Sequence, residues 1–507
     1  MHPTLTTILI SFIVLTPLLG GGALYLLRKS SIGLKERLIT VSTLIPLIIT
    51  AFLYGPLRRG EELQKTFDLL PPLGLSYRVD ILGFYMLLLF VFFGFVVSIY
   101  AQQYMKGDKK ADRFFACMLL ALGGCYGVAL AGDFFTFYLF FEFMSLMFFV
   151  LVIHHQTEAS LKAGLKFLFM TITAGVALFL SAVIILRETG SLALGQGGLV
   201  TEASPLALLA FCGFMVAFGT KAALVPLHFW MPDAYARAPL PAAVISSAIM
   251  LKTGAYGMLR VFGDVYGFSF LAGAGWAQPL IYLASLSILL GSAIALVQDD
   301  LIRRLAYSGI AQVGYIILGI SLLQEAAVAG AVYHIMAHAF MKGTLFLCAG
   351  AVIRGMGTRK ISEMKGAGHQ MPGVMLCFSA AALTAVGMPP FNVFISKWYL
   401  SLGALEEGMP VLVGVLLVSS FLNAAYYLPI AIQAFFGVPA GHGGGQEEEE
   451  AFRQTAAARG EGQGDFKAGS WKTVLPILIL TIGCGAFGLL AVNWPLEIVK
   501  AGVKAFF

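Results

Sequence analysis

Apolar runs of about twenty residues recur from one end of this chain to the other, and each is long enough to cross a bilayer as a helix. We count about fourteen: 5–27, 38–55, 80–105, 113–131, 134–154, 161–186, 205–228, 240–262, 277–298, 303–322, 326–353, 372–403, 408–436 and 473–496. They are continuous runs and not ten-residue alternations, which excludes an outer-membrane barrel. A backbone in lipid must satisfy its own polar groups, so the expectation is an all-α polytopic membrane protein. Composition agrees. Of 507 residues, 59% are hydrophobic and 12% charged. That is about half the charge of a soluble protein, too little to cover a water-soluble fold. A cytosolic enzyme, a disordered chain and an ordinary nucleic-acid binder are excluded, and the first partner is the lipid bilayer.

The loops set the orientation. Arg28, Lys29, Lys35 and Arg37 follow the first span. Lys106, Lys109, Lys110 and Arg113 follow the third, Lys162 and Lys166 the fifth, and Arg354, Arg359, Lys360 and Lys365 the eleventh. Most even-numbered loops carry few. The exception holds Arg58, Arg59, Lys65 and Arg78, mixed with Glu61, Glu62 and Asp68. By the positive-inside rule the odd loops face the cytoplasm, so both termini lie outside the cell (cytoplasmic) membrane. Met1 is followed by an apolar run without a basic n-region, which reads as a retained helix and not a signal peptide. Residues 437–472 are Gly-rich and polar and include Glu447 to Glu450. They read as a flexible cytoplasmic loop, a docking site for a partner or a solvated linker.

Ionisable side chains inside spans are costly and so are functional candidates. Glu142 sits in FYLFFEFMSLMFF, Lys221 in FGTKAALVPLHFW and Lys252 in AIMLKTGAYG. His334, His338 and Lys342 lie in AVYHIMAHAFMKGTLFL, and Lys397 in GMPPFNVFISKWYL. Glu142 could be a structural partner for a helix-end cation, and each of Lys221, Lys252 and Lys397 could snorkel to an interface. His334, His338 and Lys342 recur at i, i+4 and i+8, a polar stripe on one helix face that suggests a wetted path. The six cysteines, Cys117, Cys125, Cys212, Cys348, Cys377 and Cys484, stand alone in apolar stretches. They form no CxxC pair, so no metal centre, iron–sulfur cluster or other cofactor is expected.

Pro226 breaks one span and Pro389 with Pro390 another. A proline inside a helix frees carbonyls, and in a membrane such breaks persist only where protein or water satisfies them. Two broken spans five apart, each with a nearby Lys, suggest two related halves, spans 4–8 and 9–13. A repeat of five spans necessarily inverts. The expected organisation is N-terminal helices 1–3 in 1–110, repeats in 111–265 and 276–436, the polar loop in 437–472 and the last span in 473–507.

The stretch KAALVPLHFWMPDAYARAPLPAAVISSAIMLKTGAYGMLR resembles the central signature of the antiporter-like subunits shared by respiratory complex I, the Mrp-type Na⁺/H⁺ antiporters and the membrane-bound hydrogenases. DDLIRRLAYSGIAQVGYI, YHIMAHAFMKGTLFLCAG and GMPPFNVFISKW are similar to three further family stretches in the same order. The resemblance covers roughly residues 80–430. It implies a fourteen-helix fold with inverted five-helix repeats, and a Glu–Lys pair, here Glu142 and Lys221. It implies connecting groups, here Lys252 and His338 with His334 and Lys342, and a terminal Lys, here Lys397. The longest members carry a lateral helix after the last span, for which this chain has no room. On this reading Glu142 holds a proton on Lys221, separation of the pair releases it, and Lys252, the histidines and Lys397 accept in turn.

The chain has no group that holds an electron, so it reads as a pumping module and not a complete enzyme, with no catalytic redox site of its own. The readings are a proton- or sodium-translocating subunit of a redox complex of NADH–quinone oxidoreductase or hydrogenase type, a subunit of a Mrp-type antiporter, or a stand-alone solute transporter. The first implies further antiporter-like subunits and a peripheral redox arm as partners.

Overall fold

A computed structural model describes residues 3–59, 61, 63–70, 73–437, 469–491 and 495–507. Its principal helices, in chain order, are α1 (Pro3–Leu26), α2 (Ile32–Arg58), α3 (Ile81–Tyr104), α4 (Ala111–Ala129), α5 (Phe134–Val152) and α6 (Glu158–Thr189). Then come α7 (Pro205–Ala222), α8 (Trp230–Arg237), α9 (Leu240–Tyr266), α10 (Gln278–Val297), α11 (Leu301–Ser321) and α12 (Glu325–Met356). The last are α13 (Pro372–Val386), α14 (Asn392–Glu406), α15 (Pro410–Phe436), α16 (Trp471–Leu489) and α17 (Pro495–Lys504).

Among the described residues twelve helices are long and apolar enough to cross a membrane. The protein is a polytopic helical membrane protein. Of the apolar runs counted in the sequence, 303–322 becomes α11, which is not among the twelve; Arg303, Arg304 and Gln312 lower its mean hydropathy. The run 372–403 becomes two fifteen-residue helices, α13 and α14. The polar segment 437–472 falls almost wholly outside the described residues.

Local chemistry sets the helix starts. The side chains of Asp80, Asp133, Thr157, Ser204 and Asp300 each accept a backbone N–H of the first turn they precede. At a membrane interface this meets donors that lack an intrahelical acceptor. The mixed-charge stretch after α2 is partly an antiparallel hairpin, β1 (Leu63–Leu70) and β2 (Leu73–Val79), which the apolar-run pattern does not reveal. It docks through the Tyr77–Ala131 bridge at the start of α5. At the same end Arg260 joins α9 to α3, donating to Asp80 at 2.6 and 2.7 Å, with Asp264 at 3.2 Å.

Two helices form the centre. Every residue of α9 is buried, as is Ala327–Val352 of α12. α12 packs against α9, α11, α13, α14, α16 and α17, and α9 also meets α3 and α7. Their polar side chains therefore face protein and not lipid, which is what makes them tolerable in a membrane. Two π-helical turns, Ser246–Met250 and Val261–Tyr266, interrupt α9. Such turns commonly mark functional positions.

Candidate functional site

The site runs as a line of polar groups along the middle of the fold, from the half-buried Glu142 on α5 through fully buried groups to Lys397 on α14. At its first end, α7 stops at Ala223, which takes a left-handed φ of 58°. The chain runs through Pro226 before α8 begins. The groups this break frees are met by protein. Trp230 Nε1 donates to Thr220 O at 2.8 Å, and Val225 N–H donates to Ser287 Oγ at 2.8 Å. Lys221, in the last turn of α7, is thus not needed to close its own helix. Its ammonium donates to Ser145 Oγ of α5 and lies over the Phe141 ring, 4.7 Å from the centroid.

The Glu142–Lys221 pair implied by the resemblance is close but not in contact. No ion pair within 4.0 Å joins them among the described residues. Ser145, one turn along α5, takes the ammonium instead, and Glu142 Oε1 is buried without a hydrogen-bond partner. Gly175 of α6 makes the room for that carboxylate, because a Cβ there would overlap it.

α9 meets α7 at Gly254, where a Cβ would come within 2.8 Å of Phe218 O and 3.1 Å of Lys221 Cβ. Half a turn earlier on α9, Lys252 donates to Ser247 O in the π turn at 2.7 Å and bonds His338 Nδ1 of α12 at 2.6 Å. The rings of His338 and His334 stack with centroids 6.1 Å apart. His334 bonds Ser396 Oγ of α14 at 2.7 Å and Gln312 Oε1 of α11 at 3.1 Å. The residue after Ser396 is Lys397. The structure therefore brings Lys252, His338, His334 and the base of Lys397 into one connected line. Lys342, the third member of the stripe, turns away and donates to Leu305 O at 2.9 Å, to Ser308 Oγ and to Tyr427 Oη at 3.0 Å.

The second break lies between α13 and α14. α13 stops at Gly387, whose φ is 87°. Pro389 and Pro390 follow, then α14. Lys397 lies past the break yet reaches back across it. Its ammonium donates to Val386 O at 3.0 Å, Ala385 O at 3.3 Å and Ser420 Oγ at 2.7 Å. Gly387 is required twice over. An L side chain is strained at that φ, and a Cβ would come within 2.9 Å of Lys397 Cδ. At 8% exposure the Lys397 side chain is buried, its amine held on carbonyls within the protein.

Sequence reasoning missed the hydroxyl and amide partners: Ser145, Gln312, Ser396, Ser420 and the Tyr315–Tyr427 region. A faint signal existed in serines one or three residues from a singled-out ion, as in FEFMS and ISK. The sequence also offered no metal site. Asp108, His154 and His155 converge with ligand atoms within 4.8 Å of one another at the end of α5. His154 Nε2 already bonds Asp108 at 3.1 Å. Burial pushes His155 down to about 4, with His154, Arg354 and Lys110 acting in the same direction and the Asp108 carboxylate against them.

Residues 131–423 match the family described as NADH:quinone oxidoreductase/Mrp antiporter, TM, and residues 72–115 match that of complex I chain 5 N-terminus. The chain belongs to this antiporter-like family. It is 35% identical to NADH-quinone oxidoreductase subunit N of Desulforudis audaxviator, over 94% of this chain and 95% of that one. It is 27% identical to a Na⁺/H⁺ antiporter subunit of Alkalihalophilus pseudofirmus, over 93% and 92%. Its fold resembles a chain of the Mrp complex from Dietzia sp. DQ12-45-1b, with a TM-score of 0.86 over 99% and 98% at 22% identity.

Proposed function

We propose that this chain is the proton-translocating membrane subunit of a redox-driven, multisubunit complex of NADH–quinone oxidoreductase type, assembled with further membrane subunits and a peripheral redox arm. One observation carries the reading: buried titratable groups run without lipid exposure from Lys252 through His338 and His334 to Lys397, in a chain that aligns nearly end to end with an NADH-quinone oxidoreductase subunit. A second reading, a Mrp-type Na⁺/H⁺ antiporter subunit, is favoured by the equally complete alignment with the Alkalihalophilus pseudofirmus antiporter protein.

In the translocation cycle Glu142 and Lys221 are the input pair. Ser145 holds Lys221 when the pair is apart, and closing the pair places the carboxylate beside the ammonium and stabilises it. A proton released from Lys221 shifts the charge balance of Lys252 and the histidines. Because these groups interact strongly, they titrate as a set. Lys397 is the terminal site.

We further infer fourteen spans: the twelve long helices, α11, and the α13–α14 pair counted as one broken span. Residues 111–265 and 276–436 then form inverted repeats with their breaks in corresponding positions. The remaining parts are 1–110, the polar loop 437–472 and the last span with its tail in 473–507. Odd loops face the cytoplasm and both termini lie outside. A thiol label at Lys109→Cys that reacts only from outside would overturn this topology.

The deciding experiment is purification of the tagged chain from its native membrane. Iron–sulfur subunits in the eluate and NADH-driven proton uptake by reconstituted vesicles support the first reading. Small membrane subunits alone, with Na⁺-driven proton exchange, support the second. Transport by the isolated chain would overturn both in favour of a stand-alone transporter.

A further inference from the structure

The histidine line leaves Lys342 unexplained. Its ammonium points away from His338 to a set of buried hydroxyls between α11 and α15. Ser308 Oγ and Tyr427 Oη bond each other at 2.6 Å, and both accept from Lys342. Ser308 also faces Tyr426, whose ring packs on Tyr427 at 4.6 Å between centroids. Tyr426 Oη donates to Asn423 Oδ1, and Tyr315 Oη, which Asn423 faces, donates to Ser419 Oγ at 2.7 Å. The Tyr315 ring lies under the Lys397 ammonium, 5.2 Å from its centroid. Every one of these hydroxyl and amide groups is fully buried.

Both ends of this set are defined. At one end Lys342 bonds Leu305 O, in the first turns of α11. That helix starts from Asp300, which pairs with Arg359 at 3.2 Å in the basic loop read as cytoplasmic. At the other end is Lys397. Polar side chains on two neighbouring helices rarely line up at 0% exposure without a purpose, because each costs desolvation. Asn423 Nδ2 supplies an independent pointer. It is buried with no partner, and a buried donor of that kind is where a bridging water binds.

We propose that Lys342, Ser308, Tyr426, Tyr427, Asn423 and Tyr315 form a second proton route, which loads Lys397 from the cytoplasm and bypasses His334 and His338. The proton balance is simple. Neutral Lys342 takes a proton from cytoplasmic water. Each hydroxyl in turn accepts one proton and gives up its own, water at Asn423 closing the gap that an amide cannot relay. Tyr315 passes the proton to Ser419, and through a second water Ser420, whose Oγ lies 2.7 Å from Lys397 Nζ, hands the last to neutral Lys397. The histidine line then serves to pass charge from the input pair to Lys397, not to supply its proton. The inference rests on the proposed function.

The test uses inside-out vesicles holding the whole complex, with proton uptake followed by acridine-dye quenching after NADH or a Na⁺ pulse. Asn423→Leu and Tyr315→Phe are each expected to lower the initial rate at least fivefold. Tyr100→Phe, which removes an equally buried hydroxyl on α3, should keep the parent rate. Loss of rate in Lys397→Met with a parent rate in Asn423→Leu overturns the route alone. Parent rates in both overturn the proposed function with it. A second measurement does not depend on turnover: hydroxyl-radical footprinting of the intact complex should oxidise Tyr426 and Tyr427 at least fivefold faster than Tyr100. Equal rates would show no internal water beside them and sink the route.

Discussion

The two helix breaks use the same device and close it in opposite ways. At the first, neutral groups satisfy the opened backbone: the Trp230 indole caps Thr220 O and Ser287 takes the Val225 N–H. In the proposed cycle this leaves Lys221 free to move between Ser145, which holds it here, and Glu142. At the second, Lys397 itself satisfies Ala385 O and Val386 O. The negative end of the α13 dipole thereby stands in for the carboxylate that Lys397 lacks. A lysine partnered by a mobile acid can be switched by that acid. A lysine partnered by a fixed helix end has a constant setting, so its charge answers to whatever arrives along the line.

The sharpest way to break this comparison is to remove each lysine. Lys221→Met and Lys397→Met should both abolish most proton uptake by the assembled complex, but only Lys397→Met should also destabilise the chain. It strands two buried carbonyls, at about 1–3 kcal/mol, and should lower the thermal midpoint in detergent while Lys221→Met changes it little. Equal midpoints would mean that Lys397 is not holding α13. Next in size is Lys397→Arg. The guanidinium can donate to the same carbonyls but cannot release its proton, so the midpoint should recover and uptake should stay blocked. Full uptake would remove Lys397 from the proton path.

Gly387→Ala should cost about 1–2 kcal/mol for the left-handed backbone alone, with a further loss as the Lys397 side chain shifts from its new Cβ. Its counterpart is the smallest effect. Ala223 already carries a positive φ, so Ala223→Gly relieves strain but adds chain entropy. Its midpoint should move by less than about 1 kcal/mol equivalent, with uptake unchanged. A large loss there would show that the first break depends on the Ala223 methyl.

Much of this was legible in the sequence because lipid makes two signals loud. An apolar run of helical length has few other uses, and an ion within one is expensive, so α9 and α12 and the ions Glu142, Lys221, Lys252, His334, His338 and Lys397 stand out by contrast. What stayed hidden is what costs little. Ser145 returns its own hydroxyl proton to Phe141 O at 2.6 Å, and Thr171 and Ser181 do likewise on α6. Such residues barely disturb hydropathy, so only its place three residues after Glu142 hinted that Ser145 meets Lys221. The split of 372–403 was visible in its prolines, but the backward reach of Lys397 depends on tertiary geometry that spacing does not carry. Helical periodicity puts Lys342 on the histidine stripe, and only the tertiary structure shows its amine donating to Leu305 O, Ser308 and Tyr427.

The burial of α9 and α12 limits how this machine can turn over. A helix gripped on every side cannot tilt or slide without repacking all its neighbours at once, and close-packed interiors resist that. Opening to one side and then the other by swinging half of the molecule would have to repack this axle. What can move is light: a carboxylate swinging over Gly175, an ammonium changing acceptor, protons hopping. Bracing the frame should accordingly leave the works running, and covalent cross-links that tie α9 to α12 away from their ionisable groups should not slow translocation.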